Sequence, residues 1–243
     1  MLVAPEHRPT QIGLIVLQSD ETLERDMRIL LPRNVEYLVT RVPSGQSVTP
    51  DSLQSMDAAL TRSASLFPAG AKLAAVAYGC TSGTAQIGAD RIAALVQAGV
   101  STPAVTEPVS ALIAACRALQ VTRIGLVSPY IAIVSDRLRA VLADAGISVT
   151  QFTSFDEPIE EKVVRIQPNV IMRAAIDIGQ NTDCQAVFLS CTNLRTLNVI
   201  ERAEAHINKP VLSSNQVLAW HLGQITRLEM SQSGAQTLFQ RST

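Results

Sequence analysis

Lys72-Leu-Ala-Ala-Val-Ala-Tyr-Gly-Cys-Thr-Ser82 and, 111 residues later, Asp183-Cys-Gln-Ala-Val-Phe-Leu-Ser-Cys-Thr-Asn193 decide the fold. Each is a short apolar run that ends on a cysteine, followed by small hydroxyl or amide residues and a long segment without strand character. Such runs, bounded by turn residues, read as buried strands of a parallel sheet. In parallel α/β sheets ligand chemistry gathers at the carboxyl ends of the strands. Two thiols placed there by related halves would face each other across one pocket.

The repeat continues outward. Ile12-Gly-Leu-Ile-Val16 is echoed by Ile124-Gly-Leu-Val-Ser128, displaced by 112 residues. Thr102-Pro-Ala-Val-Thr106 precedes the helical stretch Glu107–Leu119, as Lys209-Pro-Val-Leu-Ser213 precedes Ser214–His221. Three markers in one order argue for duplicated halves. Strands are expected at Ile12–Leu17, Val35–Arg41, Leu73–Tyr78, Ala104–Thr106, Ile124–Ser128, Val149–Phe155, Ala186–Ser190 and Val211–Ser213. Helical spacing marks Leu53–Leu66, Ile131–Ala145 with Gly146 as C-cap, Pro168–Ile178 and Asn198–Ile207. The alternation implies an α/β fold of two pseudo-symmetric flavodoxin-like lobes, each a four-stranded parallel sheet with flanking helices, with the active site in the cleft between them. Residues 1–118 with 214–243 are assigned to the N-terminal lobe and 119–213 to the C-terminal lobe. Ser231–Thr243 carries little apolar pattern and is expected to fray.

Composition narrows the class. At 243 residues, 47% hydrophobic and 17% charged with a formal net charge of −1, the chain is globular rather than disordered or strongly basic. No arginine-lysine stripe appears and aromatics are scarce, so no nucleic acid partner is expected. Met1–Gln11 lacks the apolar stretch of a signal peptide and no run approaches membrane-spanning length; no membrane partner and a cytoplasmic location are expected. Cys80, Cys116, Cys184 and Cys191 are scattered, which does not make a disulfide framework. Cys116 reads as a small buried hydrophobe, and Cys184 is given no role. His7, His206 and His221 show no metal-ligand spacing, so neither metal nor cofactor is expected. The alanine-rich helices lead to an expected homo-oligomer.

Thr81-Ser82-Gly83-Thr84 follows the first cysteine and Thr192-Asn193-Leu194 the second. Free backbone N–H groups and hydroxyls at such turns suit a small carboxylate, and the positive helix end is expected to lower a neighbouring thiol's pKa. Phosphate fits less well, because neither glycine-rich phosphate motif is present. Arg41-Val-Pro-Ser-Gly-Gln-Ser-Val-Thr-Pro50 has the pattern of a loop over the cleft, and Phe155–Arg165 is a second stretch that supplies pocket residues. Arg41 has three readings: a partner of the substrate carboxylate, a partner of Asp20, or a solvated strand-end residue.

Gly13-Leu-Ile-Val16 with Ser19, Gly79-Cys-Thr-Ser-Gly83, Ser128-Pro-Tyr130, Ser190-Cys-Thr192 and Pro210-Val-Leu-Ser-Ser-Asn215 together resemble the aspartate/glutamate racemase superfamily. The nearer branch holds maleate cis-trans isomerase, arylmalonate decarboxylase and the ectoine-utilisation proteins. The resemblance spans nearly the whole chain and implies the duplicated fold and chemistry without a cofactor. Cys80 and Cys191 match the two catalytic thiols of the isomerases. The decarboxylase has glycine at the first position, so Cys80 argues against a simple decarboxylase. Thr81, Ser82 and Thr192 fall where family members bind a substrate carboxylate, Asn193 is counted with them, and Tyr130 matches a tyrosine that contacts the same group. Thr81 and Thr192 also read as plain helix caps, and Tyr130 as an interface aromatic.

Departures matter as much. Maleate isomerases typically read Pro-Ser-Ser-Asn after the first strand, where this chain has Leu17-Gln-Ser-Asp20. An aspartate thus replaces an asparagine that helps hold a carboxylate, and two anions a few ångströms apart repel unless one is protonated or a cation intervenes. Asp20 in the pocket favours a substrate with an amine or amide opposite its carboxylate, in line with the resemblance to the ectoine-utilisation group; the other reading is an N-cap for Glu21–Leu30. Isomerases tend to carry another amide near Asp156-Glu-Pro-Ile-Glu-Glu161, and whether Glu160 or Glu161 faces the site stays open. The leading expectation is a cofactor-independent two-cysteine isomerase, cis-trans isomerase or racemase, of a small carboxylic acid. Alternatives are a racemase of an amino or N-acyl-amino acid in ectoine degradation, an arylmalonate-type decarboxylase, and a binding protein without turnover.

Overall fold

The computed structural model describes residues 8–230 and 237–240. The first half runs β1 (Thr10–Leu17), α1 (Leu23–Leu30), β2 (Val35–Val42), α2 (Pro50–Ser55), α3 (Asp57–Ala64), β3 (Leu73–Gly79), α4 (Thr81–Ile87), α5 (Ala89–Gly99), β4 (Val105–Thr106) and α6 (Pro108–Ala118). The second runs β5 (Arg123–Ser128), α7 (Ala132–Asp144), β6 (Ser148–Ser154), α8 (Glu160–Val163), α9 (Pro168–Gly179), β7 (Ala186–Leu189), α10 (Leu197–Ile207) and β8 (Val211–Ser213). Then come α11 (Ser214–Thr226) and α12 (Thr237–Gln240). Both sheets are parallel and share one order, β2-β1-β3-β4 and β6-β5-β7-β8. The expected pair of four-stranded α/β sheets is what the chain forms.

That order positions the site. β2 lies to one side of β1 and β3 to the other, so crevices open beyond the carboxyl ends where the winding reverses. The second sheet reverses in the same way between β5 and β7. Asp20 follows β1, Cys80 follows β3, Tyr130 follows β5 and Cys191 follows β7. The four central strands are buried on both faces, which is why they read as continuous apolar runs rather than alternating ones. Edge strands β2 and β6 are more exposed and mix polar with apolar residues. Helix α11 is buried on nearly every side and packs on α1, α6 and β3. Among the described residues, no helix is long and apolar enough to cross a membrane.

Three expectations change. The helix read over Leu53–Leu66 is two helices, because Thr49 and Ser52 form a capping box that starts α2 at Pro50, and the chain kinks at Met56 before α3. Within Ser231–Thr243, residues 231–236 and 241–243 lie outside the described residues, but 237–240 form α12 rather than fraying. Leu238 and Phe239 are buried there, and the Thr237 N–H donates to Glu204 Oε2 at 3.1 Å. Phe155–Arg165 is not all loop, since it contains α8.

Gly99 tests the packing of α5 on α3. A Cβ there would stand 2.3 Å from the Thr61 carbonyl oxygen and 2.8 Å from Ala64 Cβ, whereas one at Gly70 meets nothing within 4 Å. Gly99→Ala is expected to lower unfolding free energy by about 1–3 kcal/mol in chemical denaturation, with Gly70→Ala close to neutral.

Candidate active site

At the end of β3 the backbone of Cys80 stays extended and its Sγ accepts the Gly83 N–H at 3.1 Å, where a helix cap would ordinarily present oxygen. Ser82 Oγ lies 3.6 Å from the same sulfur. Gly83 leaves room that a side chain would fill: its Cβ would be 2.6 Å from Tyr78 Oη and 2.9 Å from Cys80 Sγ. Cys191, after β7, adopts a φ of 103°, a region that costs a residue with a Cβ about 1–3 kcal/mol. Two hydrogen bonds hold it there. Ser190 N–H donates to the Val127 carbonyl at 2.9 Å, and Cys191 N–H donates to Ser214 Oγ at 3.0 Å.

The two turns are stitched together. Ser214 Oγ also lies 2.8 Å from Thr81 Oγ1, so one hydroxyl joins the first cysteine turn to the second. Thr192 Oγ1 donates to the Gly79 carbonyl at 3.2 Å. Asn215 Nδ2 donates to the Thr192 carbonyl and to Asp26 Oδ2, both at 2.8 Å. The Tyr130 hydroxyl hydrogen-bonds Cys191 and lies within electrostatic reach of Cys80. The Tyr78 hydroxyl, which donates to Met56 Sδ at 3.6 Å, sits against Cys80. The structure brings Asp20, Cys80, Thr81, Ser82, Tyr130, Cys191, Thr192 and Asn193 into one cluster, and none is more than 5% exposed.

Two carboxyl groups join it. Asp20 Oδ1 accepts the N–H groups of Thr22 (2.8 Å) and Leu23 (2.7 Å) ahead of α1, while Oδ2 is buried with no hydrogen-bond partner among the described residues. Of the two glutamates, Glu160 turns inward and accepts Asn193 Nδ2 at 3.1 Å; Glu161 points out and pairs with Arg165 at 3.2 Å. Asn193 also accepts the Glu21 N–H through Oδ1 at 2.9 Å, so it is a brace between the two halves. Arg41 combines two of its readings: it is a partly exposed residue at the end of β2, and its charge acts on Asp20. Its guanidinium donates to the carbonyls of Leu17, Gln18 and Asp20 and pairs with Glu24.

The two stretches expected to border the cleft pair across it. Ser47 bridges Ile159, Val48 N–H donates to the Pro158 carbonyl at 2.7 Å, and Glu160 N–H donates to the Gln46 carbonyl at 3.1 Å. Outside this seam lies a depression of about 340 Å³ lined by residues including Ser19, Gln46, Ile159 and Glu160.

Burial reverses the expected thiol chemistry. Desolvation pushes the Cys80 thiol up to about 12, and the Glu160 charge adds to it, against lowering hydrogen bonds from Ser82, the Gly83 N–H and Tyr78. Desolvation and Glu160 likewise raise Cys191 well above its ordinary value. The helix-end donor at Cys80 is present, but it does not outweigh burial. Glu160 is itself raised by desolvation, to about 6, with Asp20 contributing. Asp20 is raised by desolvation, against the lowering effects of the Leu23 and Thr22 N–H groups, the Thr192 hydroxyl and the Arg41 charge.

A family model described as arylmalonate decarboxylase matches residues 13–239. The chain belongs to the arylmalonate decarboxylase family. The maleate isomerase of Nocardia farcinica is 25% identical over 244 residues, covering 96% of each sequence. Among solved structures, a cysteine variant of the Nocardia farcinica maleate cis-trans isomerase with a covalently bound succinylcysteine intermediate aligns with a TM-score of 0.87. The alignment covers 96% of this chain and 99% of that one at 23% identity. The maleate isomerase of Pseudomonas putida, a cysteine variant with maleate, aligns at 0.84 and 22% identity over 96% and 98% of the two chains. Both likenesses are of fold.

In this family member, sequence reasoning missed Ser214 and Tyr78. Ser214 sits in the quoted Ser-Ser-Asn stretch but reads there as an ordinary helix start. Tyr78 reads as the end of a strand, and only its one-residue offset from the Gly-Cys turn hints at a hydroxyl beside the sulfur.

A raised pKa means a neutral thiol at neutral pH. Iodoacetamide labelling of the Cys80 peptide, followed by mass spectrometry, is therefore expected to be slow near pH 7 and to rise steeply above about pH 9. Glu160→Gln removes a negative charge that opposes ionisation, so it should lower the Cys80 pKa and speed labelling at fixed pH. A rate independent of pH over that range would contradict this.

Proposed function

We propose that this chain is a cofactor-independent two-cysteine isomerase of a small carboxylic acid, with cis-trans isomerisation as its leading chemistry. The observation that carries the reading is that both cysteines are buried in one cluster and both interact electrostatically with the same Tyr130 and the same Glu160. A covalent succinyl adduct on a cysteine of the Nocardia farcinica enzyme is what thiolate addition to maleate would leave.

The step balances without a co-reactant. The ionised fraction of Cys80, its proton released to solvent, forms a carbon–sulfur bond to one alkene carbon, and the displaced electron pair moves to the carbon beside the carboxylate. Hydroxyl donors from Thr81, Ser82 and Tyr130 hold the charge that develops there. Cys191 lends a proton to that carbon and takes it back after rotation about the new single bond. Expulsion of the Cys80 sulfur restores the double bond in the trans geometry. The same pair serves racemisation, one thiolate removing the Cα proton while the other thiol delivers one to the opposite face. The two inward carboxyl groups favour this second reading for amino acid substrates. Decarboxylation needs only Cys191 and leaves Cys80 without a part.

Proton NMR in D2O, run with small unsaturated acids and amino acids, finds the substrate. On it, Cys80→Ala and Cys191→Ala are each expected to lower kcat by about 10²–10⁴-fold or more. Tyr130→Phe should cost about 10²-fold with the fold intact by circular dichroism. Full-rate turnover by either cysteine variant would end the proposal.

A further inference from the structure

A hollow of about 230 Å³ lies away from the thiols, lined by residues including Arg25, Asp26, Arg195, Thr196, Leu197 and Asn198. The mechanism above uses none of them. Arg25 and Asp26 come from α1 in the first half, and the other four from the start of α10 in the second, so the hollow lies at a junction of the two halves. Both guanidiniums are exposed and both charges act on Asp26. Among the described residues neither makes an ion pair or a hydrogen bond.

The same spot is short of acceptors. Thr196 is the N-cap residue of α10, yet its side chain caps no backbone N–H, which leaves the opening N–H groups of an eleven-residue helix uncapped. Thr196 is only 1% exposed, and its Oγ1 is buried with no hydrogen-bond partner among the described residues. A buried hydroxyl without a partner is costly, and a ligand that accepts from it removes that cost. The opposing charge in the lining is Asp26, which is 2% exposed and whose Oδ2 already accepts Asn215 Nδ2 at 2.8 Å.

We propose that Arg25, Arg195, Thr196 and the first turn of α10 form a second ligand site, one that binds a phosphoryl group. Two guanidinium forks, a hydroxyl and a helix N-terminus offer more donors than the two oxygens of a carboxylate can use, whereas a phosphoryl group brings three oxygens and a second negative charge. A cation would meet two like charges there. The hollow shares no residue with the cysteine cluster, so the site stands whether or not the thiols isomerise an acid.

Calorimetry on the wild-type protein at about pH 7.5 and low salt tests it, with inorganic phosphate, glycerol 3-phosphate and succinate as probes. Both phosphates are expected to bind one to one, and succinate about tenfold more weakly or worse. Arg25→Gln and Arg195→Gln, changes at exposed positions, should each weaken phosphate by about tenfold, and the double variant should abolish the heat. Ser82→Ala, at the first cysteine turn, should leave phosphate binding unchanged. Tighter binding of the ester makes the occupant a phosphorylated small molecule, and equal binding makes it the free ion; either supports the site. No heat from either phosphate at millimolar concentration overturns it, as does succinate binding as tightly as phosphate. So does an affinity unmoved by either arginine variant, or one lost in Ser82→Ala, which would put the anion at the thiols.

Discussion

The hydroxyl of Ser214 holds the two cysteine turns in register. It accepts the Cys191 N–H at 3.0 Å and lies 2.8 Å from Thr81 Oγ1, the residue next to Cys80. Cys191 sits at a positive φ that its side chain disfavours, so its backbone needs an external anchor. Ser214 supplies one from the first residue of a helix that is itself packed between α1, α6 and β3. The geometry of the two cysteine turns is thereby referred to a rigid element rather than to a loop.

Enclosure works against ionisation. Both sulfurs are buried away from water, which strengthens the hydrogen bonds around them but makes a bare thiolate expensive. The donors around Cys80 are the counterweight. Ser82, the Gly83 N–H and the rotatable Tyr78 hydroxyl all favour the charged sulfur, and Tyr130 does so for Cys191. At rest they lose to desolvation.

The duplicated fold was legible because buried parallel strands write themselves as uninterrupted apolar runs, and because Gly-Cys-Thr and Ser-Cys-Thr stop those runs at one offset. The eight sequence-selected site residues converge for the same reason, since they follow the carboxyl ends of central strands. What the sequence hid depends on side-chain direction. Glu160 and Glu161 are adjacent and alike, yet one accepts from Asn193 and the other from Arg165, a difference fixed by the orientation of α8. The thiol pKa was misjudged because a helix-end donor is visible in sequence and the depth of burial is not. The three readings of Arg41 stayed open because backbone carbonyls, its main partners, carry no sequence signature.

Asp20 shows how a site can change polarity while its scaffold stays put. The sequence left two readings, helix start and pocket wall; one oxygen accepts the N–H groups at the start of α1, and the other is buried without a hydrogen-bond partner among the described residues. Asparagine has nearly the same shape and could accept the same two N–H groups, but its second atom would be a donor where aspartate presents an acceptor. The peptide chain around α1 does not distinguish them. Glutamine at 160 would likewise still accept from Asn193 while exchanging an oxygen for an NH2 group. At both positions the backbone is served by either side chain, so the difference falls on charge and on donor or acceptor character and not on the scaffold.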